Sequence, residues 1–279
     1  MLKVAVPNKG TLSEIAVDFL REAGYAVRRD PRELIVMDER NGVEFFYLRP
    51  RDIAVYVGSG AIDVGVTGRD LLLDSESPAL EVAALGFGDS TFRFAGPAGR
   101  FSQLSELEGT RVATSYPGLV GTYLRDRGIT SSLIRLDGAV ESAVRLGVAD
   151  AVADVVSTGT TLRKAGLEIF GPVLLESTAV LISTHPDVPG LEVLARRLQG
   201  ILVARQFVLM DYDIPVALLP RAALLTPGIE SPTISPLHDP EWVAVRAMVP
   251  RAEYNKVMDD LYELGARAIL VSPIHAVRI

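Results

Sequence analysis

The sequence contains no cysteine, and histidine is almost as scarce. The lack of cysteine excludes a disulfide framework, a thiolate metal site and a cysteine nucleophile. The histidines His185, His238 and His275 lie far apart and show no ligand spacing, so a histidine metal site is not expected.

Long apolar runs and an excess of basic residues are also lacking. No run approaches the roughly 18 apolar residues of a membrane-spanning helix, and the short apolar opening before Asn8-Lys9-Gly10 is not a signal peptide. We therefore expect a soluble, cytoplasmic protein with no membrane partner. The 28 Lys and Arg against 35 Asp and Glu give a net charge of −7, which argues against nucleic-acid binding but permits a local basic cleft.

The most informative stretch runs from Glu141 to Leu162. An apolar run from Ala151 to Val156 is interrupted only by Asp154 and is followed by a small polar loop and a helix start. The loop residues are Ser157, Thr158, Gly159, Thr160 and Thr161. Backbone amides at such a turn suit a phosphate, and a nearby carboxylate suits sugar hydroxyls. The alternative is a capped turn with a solvated Asp154.

Strand and helix patterns alternate along the first 200 residues. A strand over 2–6 ends in a loop carrying Lys9, and a strand over 43–48 ends at Arg49 and Arg51, two cations that suit phosphate contacts. The pattern predicts two α/β lobes, the first over 1–90 and 177–204 and the second over 91–176. Such an arrangement resembles the periplasmic-binding-protein architecture, in which the ligand cleft lies between the lobes.

The pattern changes near Arg205. From there to residue 279 the predicted order is βαββαβ, which is typical of a ferredoxin-like domain of the ACT or PII-like type. By analogy at the level of fold, such a domain senses a small molecule. A purely structural oligomerisation domain is the alternative.

The spacing of the central stretch resembles the signature of the ATP phosphoribosyltransferases. Its elements are Glu141, Gly147, Asp154-Val155 and Thr158-Gly159-x-Thr161-Leu162. The segments PNKG, LRPRDIAVYV, TSYPGLV and TPGIESPTISPL look like further segments of the long form of that family. The resemblance implies an enzyme that transfers phosphoribose from phosphoribosyl pyrophosphate to N1 of ATP and releases pyrophosphate, in the first step of histidine biosynthesis. It also implies a Mg²⁺ requirement, inhibition by histidine and homo-oligomers from dimer to hexamer.

The resemblance assigns roles to residues of the two lobes. For phosphoribosyl pyrophosphate it implies Glu141, Asp154, Ser157, Thr158, Gly159, Thr160 and Thr161. For ATP it implies Lys9, Gly10, Arg49, Asp70 and Tyr116, with Asp154, Lys9 and Arg49 as the catalytic set. Many relatives carry Arg where this chain has Thr11, which puts one ATP-phosphate contact in doubt.

The C-terminal region carries the residues implied for histidine. Asp213 would bind the ammonium and Ser231 and Thr233 the carboxylate, with Met248 and Ala268 on neighbouring strands as an apolar wall. No residue is assigned to Mg²⁺, which substrate oxygens and water would hold. A small-molecule-binding protein of the same two-lobe fold, without catalysis, is the alternative function.

Overall fold

The computed structural model describes residues 1–28, 30, 32–156 and 159–278. The chain divides into two compact units, Met1–Ala195 and Arg196–Ile279. The first unit contains two sheets, and the second contains one. Within the described ranges, no helix is both long and apolar enough to cross a membrane.

The first sheet of the first unit is mixed and, among the described residues, has six strands in the order β2-β3-β1-β4-β11-β5. The strands are β1 Leu2–Pro7, β2 Ile35–Asp38, β3 Val43–Leu48, β4 Val64–Gly68, β5 Leu80–Ala84 and β11 Ala179–Ser183. Strand β1 pairs in parallel with β3 and β4, so these three strands end at the same edge. We call this sheet and its helices the first lobe.

Three helices cover this sheet because their apolar residues recur at helical spacing. They are α1 Thr11–Glu22, α2 Pro50–Gly58 and α3 Arg69–Asp74. Pro50 occupies the first turn of α2, where its missing N–H costs no hydrogen bond. Ile53, Ala54 and Val57 of α2 are fully buried, so the side chains before this helix are placed on a fixed support.

The second sheet has, in the described chain, five strands in the order β10-β6-β9-β7-β8. The elements are β6 Ser90–Pro97, β7 Arg111–Thr114, β8 Ser132–Arg135, β9 Ala151–Val156 and β10 Leu167–Ser177, with helices α4 Pro117–Arg125, α5 Ser142–Arg145 and α6 Thr160–Lys164. Strand β7 pairs in parallel with β8 and β9 around a core that includes Phe92, Phe94 and Leu107. We call this sheet and its helices the second lobe.

The chain passes between the two lobes twice, once from β5 to β6 and once from β10 to β11. The predicted fold class, a two-lobed α/β region of the periplasmic-binding-protein type, is confirmed. Helix α7, Leu191–Gln206, then leads into the second unit.

The second unit is a ferredoxin-like βαββαβ domain, as predicted. Its elements are β12 Phe207–Pro215, α8 Leu219–Leu225, β13 Thr233–Pro236, β14 Trp242–Pro250, α9 Tyr254–Leu264 and β15 Arg267–Pro273. The sheet order is β13-β14-β12-β15, and every pairing is antiparallel. Alternate residues of β12, including Val208, Met210 and Tyr212, are buried under the helices, while the other face of the strand is partly exposed.

Three element boundaries differ from those that the sequence predicts. Strand β10 begins at Leu167 rather than near residue 174, because Gly171 has φ +66° and lets the strand pass a bulge against β6. Helix α5 begins at Ser142 rather than at Ala139, whose own φ is +48°. Strand β5 ends at Ala84 rather than at Phe87, because Gly86 has φ +61°.

Candidate active site

A cleft of about 710 Å³ lies between the lobes of the first unit. Its walls carry both basic and acidic side chains. The lining residues are Lys9, Arg49, Pro50, Arg51, Asp52, Leu71, Ser115, Tyr116, Arg135, Asp137, Gly138, Asp154 and Val155. The cleft is therefore polar and suited to a charged ligand larger than a single phosphate.

The lining residues come together because parallel strands end at the cleft. Lys9 follows β1, Arg49 follows β3, Tyr116 follows β7 and Asp154 lies near the end of β9. In open α/β sheets, ligands bind beyond the carboxyl ends of the strands. The topology thus brings together four side chains that are up to 145 residues apart in the sequence, since 154 − 9 = 145.

Asp154 is a partly buried carboxylate, and one backbone amide offsets part of the cost of burying its charge. Its Oδ1 accepts a hydrogen bond of 2.8 Å from the amide of Val155. Burial raises the pKa of Asp154, and the nearby carboxylates of Glu141 and Asp70 raise it further, against the opposing effect of that amide. A charged Asp154 is therefore costly in the unliganded cleft and gains from ligand hydroxyl groups that donate hydrogen bonds to it.

Tyr116 lies near Asp154, and the guanidinium of Arg51 packs against its ring. Its pKa is raised, first by burial and then by the neighbouring carboxylate of Asp70, while Arg51 opposes the shift. Arg51 lies over the ring at 4.9 Å from the centroid. Tyr116 therefore keeps its proton at neutral pH and is a hydrogen-bond donor rather than a base.

Asp70 is buried at the start of α3, and both its backbone amide and its carboxylate are hydrogen-bonded to Ser177. The hydroxyl of Ser177 donates to its Oδ1 at 2.9 Å, and the Asp70 amide donates to the Ser177 hydroxyl oxygen at 3.1 Å. Its position places it behind Tyr116 rather than on the cleft wall.

The loop after β9 carries most of the residues expected to bind the sugar phosphate. Gly159 has φ +68°, a left-handed conformation that favours glycine, and immediately precedes α6. Helix α6 has only 5 residues, so its dipole contributes little at this loop. Thr160 and Thr161 are exposed. Ser157 and Thr158 lie outside the described residues.

The loop after β1 presents Lys9 and Gly10, both exposed. Gly10 has φ +77° and precedes α1, whose first residue, Thr11, is also exposed. The carbonyl of Asn8 accepts a hydrogen bond of 3.0 Å from Arg28, which also donates to Ser13. Arg28 thus supports the base of this loop from the first lobe.

Sequence reasoning missed several cleft residues. Ser115, Arg135 and Asp137 line the cleft beside Tyr116. Nε of Arg135 lies 3.7 Å from Oδ1 of Asp137. Arg135 is the last residue of β8 and Asp137 lies two residues beyond it, so their position at a strand end could have indicated them. Glu141, which was expected, lies at the start of α5 and contributes to the pKa of Asp154 without lining the cleft.

The residues expected to bind histidine are spread over the sheet of the second unit. Thr233 is on edge strand β13 and Ala268 on the opposite edge strand β15, three strand spacings or about 14 Å apart. The expectation that Met248 and Ala268 lie on neighbouring strands is wrong, because β12 lies between β14 and β15. Asp213 lies on β12, and Ser231 precedes β13.

Across the described ranges, no group of three or more His, Cys, Asp or Glu side chains could hold a metal ion. The carboxylates around Asp154 are within electrostatic range of one another but do not form such a group.

Comparison with known proteins gives matches along the whole chain. The family model of ATP phosphoribosyltransferase matches residues 49–200, and that of the HisG C-terminal domain matches residues 204–276. The chain is 64% identical to an ATP phosphoribosyltransferase of Pseudarthrobacter chlorophenolicus and 57% identical to one of Streptomyces coelicolor, with 100% of each chain covered. Among solved structures it is similar to the ATP phosphoribosyl transferase (HisG:HisZ) complex from Thermotoga maritima, with TM-score 0.63 and 27% identity over 72% of this chain and 98% of that one.

Proposed function

The chain belongs to the ATP phosphoribosyltransferase family and is a pentosyltransferase, and from that premise we propose that it transfers phosphoribose from phosphoribosyl pyrophosphate to N1 of the adenine of ATP. The products are phosphoribosyl-ATP and pyrophosphate. This reaction is the first committed step of histidine biosynthesis, which we place in the cytoplasm.

The observation that carries the proposal is the composition of the cleft. Asp154 faces the same cavity as Lys9, Arg49, Arg51 and Tyr116. A ribose with a phosphate on one end and a pyrophosphate on the other needs a carboxylate near its hydroxyls and cations near its phosphates. A cavity of about 710 Å³ has room for such a ligand together with part of a nucleotide.

Asp154 is proposed to hold the sugar. Its ionised carboxylate accepts hydrogen bonds from the ribose hydroxyl groups, and these bonds offset the cost that burial imposes on the charge. The loop from Ser157 to Thr161 holds the 5-phosphate through its amides and hydroxyls, with Gly159 allowing close approach of the backbone. Glu141 supports this wall from α5.

The basic residues of the opposite wall are proposed to bind the leaving pyrophosphate and the ATP phosphates. Lys9, Gly10 and Arg49 lie at the ends of β1 and β3. Displacement at the anomeric carbon has an oxocarbenium-like transition state, so stabilisation of the departing pyrophosphate lowers the barrier. Lys9 and Arg49, which line the cleft, supply that stabilisation as positive charges beside the leaving group.

Tyr116 and Asp70 are proposed to act together on the ATP side. The raised pKa of Tyr116 keeps its hydroxyl protonated, so it does not remove the proton of the adenine amino group; its O–H donates to Asp70, and its oxygen accepts a hydrogen bond from the ligand. Asp70, held by Ser177, orients this hydroxyl from behind. Mg²⁺, which substrate oxygens and water would hold, would supply charge neutralisation for the leaving group.

We further propose that residues 205–279 bind histidine and that bound histidine inhibits transfer in the cleft. We also propose that the chain forms homo-oligomers from dimer to hexamer. The domain division proposed with this function has one catalytic lobe over 1–90 and 177–204, the other over 91–176, and the histidine-binding domain over 205–279. Asp213, Ser231, Thr233, Met248 and Ala268 remain the proposed contacts. Because one sheet separates Thr233 from Ala268 by about 14 Å, a single histidine within one copy of the domain contacts only a subset of them.

The test is a direct assay of transfer. Protein is mixed with ATP, phosphoribosyl pyrophosphate and Mg²⁺, and phosphoribosyl-ATP is followed by its absorbance, with each component omitted in turn. We expect product only in the complete mixture and less product when histidine is added. No product in the complete mixture, together with tight binding of either substrate by calorimetry, would leave the binding-protein function instead.

A further inference from the structure

The helix that leads away from Tyr116 depends on the opposite lobe for its first turn. Helix α4, Pro117–Arg125, has no side-chain cap at its own N-cap residue, Tyr116. Instead, the amides of Gly118 and Leu119 donate to Oδ1 of Asp74, at 2.9 and 3.3 Å. Asp74 is the last residue of α3 in the first lobe. A carboxylate at this position satisfies unpaired amides and complements the helix dipole.

The second oxygen of the same carboxylate fixes a cleft residue. Oδ2 of Asp74 accepts a hydrogen bond of 2.7 Å from Nη1 of Arg51. The Asp74 side chain is only 9% exposed. Since Arg51 also lies over the ring of Tyr116, one buried carboxylate is joined to both walls of the cleft.

The approach between the lobes is too close for any residue but glycine at position 118. A Cβ on Gly118 would lie 2.3 Å from the backbone carbonyl oxygen of Asp74. That oxygen is part of the main chain and is not displaced by a side-chain rotation. A side chain at position 118 therefore forces the lobes apart, even though the Asp74 carboxylate is still present.

We infer that Asp74 is a positioning residue that fastens the two lobes together and thereby places Arg51 and Tyr116 for substrate. The predicted effect on KM rests on the proposed function, whereas the predicted effect on the distance between the lobes does not. If the fastened arrangement is the one that binds substrate, weakening it reduces the fraction of competent molecules. The apparent affinity then falls by the same factor, while turnover at saturation changes less.

The distance between the lobes gives a readout that does not depend on catalysis. Because the chain has no cysteine, Glu22→Cys on the first lobe and Asp126→Cys on the second carry spin labels at unique, exposed sites. Pulsed electron paramagnetic resonance then measures the distance distribution. Asp74→Ala and Gly118→Ala are expected to lengthen and broaden it, and Asp74→Asn, which keeps one acceptor oxygen, to do so less.

The matched control is Gly121→Ala in the same helix. A Cβ there lies 3.3 Å from the flexible end of Leu133, within the same lobe. This variant gains helix propensity and leaves the contact between the lobes unchanged, so we expect wild-type distances and kinetics.

The kinetic readout is the separation of KM from kcat. Asp74→Ala and Gly118→Ala should raise both substrate KM values by at least about tenfold while kcat stays within roughly threefold. If Asp74→Ala does not fold, Gly118→Ala and Asp74→Asn carry the test. Unchanged distances in these variants would overturn the fastening role, and longer distances with unchanged KM would overturn the positioning role. Absence of transfer by the wild-type protein would instead reject the proposed function, and the distance measurement would still decide whether Asp74 joins the lobes.

Discussion

The two units differ in how their folds gather the side chains expected to bind ligands. In the first unit, Lys9, Arg49, Tyr116 and Asp154 come from the carboxyl ends of parallel strands and face one cleft. In the second unit, four of the residues expected to bind histidine lie on four different strands of an antiparallel sheet, from one edge to the other, and Ser231 precedes the edge strand β13.

The difference follows from strand direction. Parallel strands end at the same edge, so a polar residue after each strand arrives at a common place however far apart in sequence. Antiparallel strands alternate in direction, and residues on one face are separated by about 4.8 Å for every strand crossed. Polar residues picked from the sequence therefore converge on one cleft in the parallel arrangement of the first unit. In the antiparallel sheet of the second unit they are spread over a surface.

The largest expected effect tests the gathering of residues in the first unit. Gly159→Val places a β-branched residue at φ +68°, a conformation that costs such a residue roughly 1–3 kcal/mol. The loop is expected to lose its geometry, and calorimetry should detect no binding of phosphoribosyl pyrophosphate while the protein remains folded. Gly166→Val, at φ +76° after α6, imposes similar strain away from the cleft. It should lower stability and leave affinity unchanged, and equal affinity in both variants would argue against a phosphate site at Gly159.

Asp154→Asn is expected to have the next largest effect. Loss of charge-assisted hydrogen bonds worth about 1.5–3 kcal/mol should lower kcat/KM for phosphoribosyl pyrophosphate by about tenfold to a hundredfold. Wild-type kinetics in this variant would exclude Asp154 from sugar binding.

The pKa shift gives this variant a second signature. Because the folded-state pKa of Asp154 is raised, its contribution to stability is full at low pH and is lost as the pH rises through that pKa. At neutral pH, Asp154→Asn should therefore raise the Tm of the unliganded protein while activity falls. A lower Tm would show that the charged carboxylate stabilises the fold.

The second unit is tested by relief of inhibition. Thr233→Ala combined with Asp213→Ala should raise the histidine concentration for half-inhibition by about tenfold or more, because the ammonium loses a charged partner. Activity without histidine should change little. Asp259→Ala, on the exposed side of α9, is the control and should keep the wild-type inhibition curve. Identical curves for all three proteins would place histidine elsewhere.

The smallest effect is expected at the exposed edge of the cleft. Arg49 is exposed and makes no ion pair to another described residue. Arg49→Gln should lower kcat/KM for ATP by about threefold to tenfold, as expected for a single solvated contact worth ~0.5–1.5 kcal/mol. Titration in rising salt should reduce the difference between the two proteins, and a difference that does not change with salt would point to a structural role for Arg49.

Most of the architecture follows from local patterns. Apolar periodicity, the Asn-Gly turn before β3 and the change of pattern near Arg205 predict the strands and helices in the right order. The bulge at Gly171 was not predicted, because Gly171-Pro172 has the composition of a turn, and only the pairing with β6 on either side of the bulge keeps the strand continuous. Local signals thus determine the elements, and tertiary pairing determines some of their ends.

The candidate site divides in the same way. Asp154 is indicated by its place inside an apolar run and Arg49 by its place after one, and both signals are local in sequence. Asp74 carries no such signal, because its partners Gly118 and Arg51 approach it only when the lobes pack together. The distance between Thr233 and Ala268 likewise depends on sheet order, which the sequence does not encode locally.

Hydrogen–deuterium exchange with each ligand tests the central claim, that phosphoribosyl pyrophosphate binds the cleft of the first unit and histidine the sheet of the second. Peptides covering 115–125 and 151–166 should gain protection with phosphoribosyl pyrophosphate and Mg²⁺. With histidine alone, the strongest protection should fall on peptides covering 207–215 and 231–250. Protection of residues 205–279 by phosphoribosyl pyrophosphate, with none around Asp154, would contradict the account.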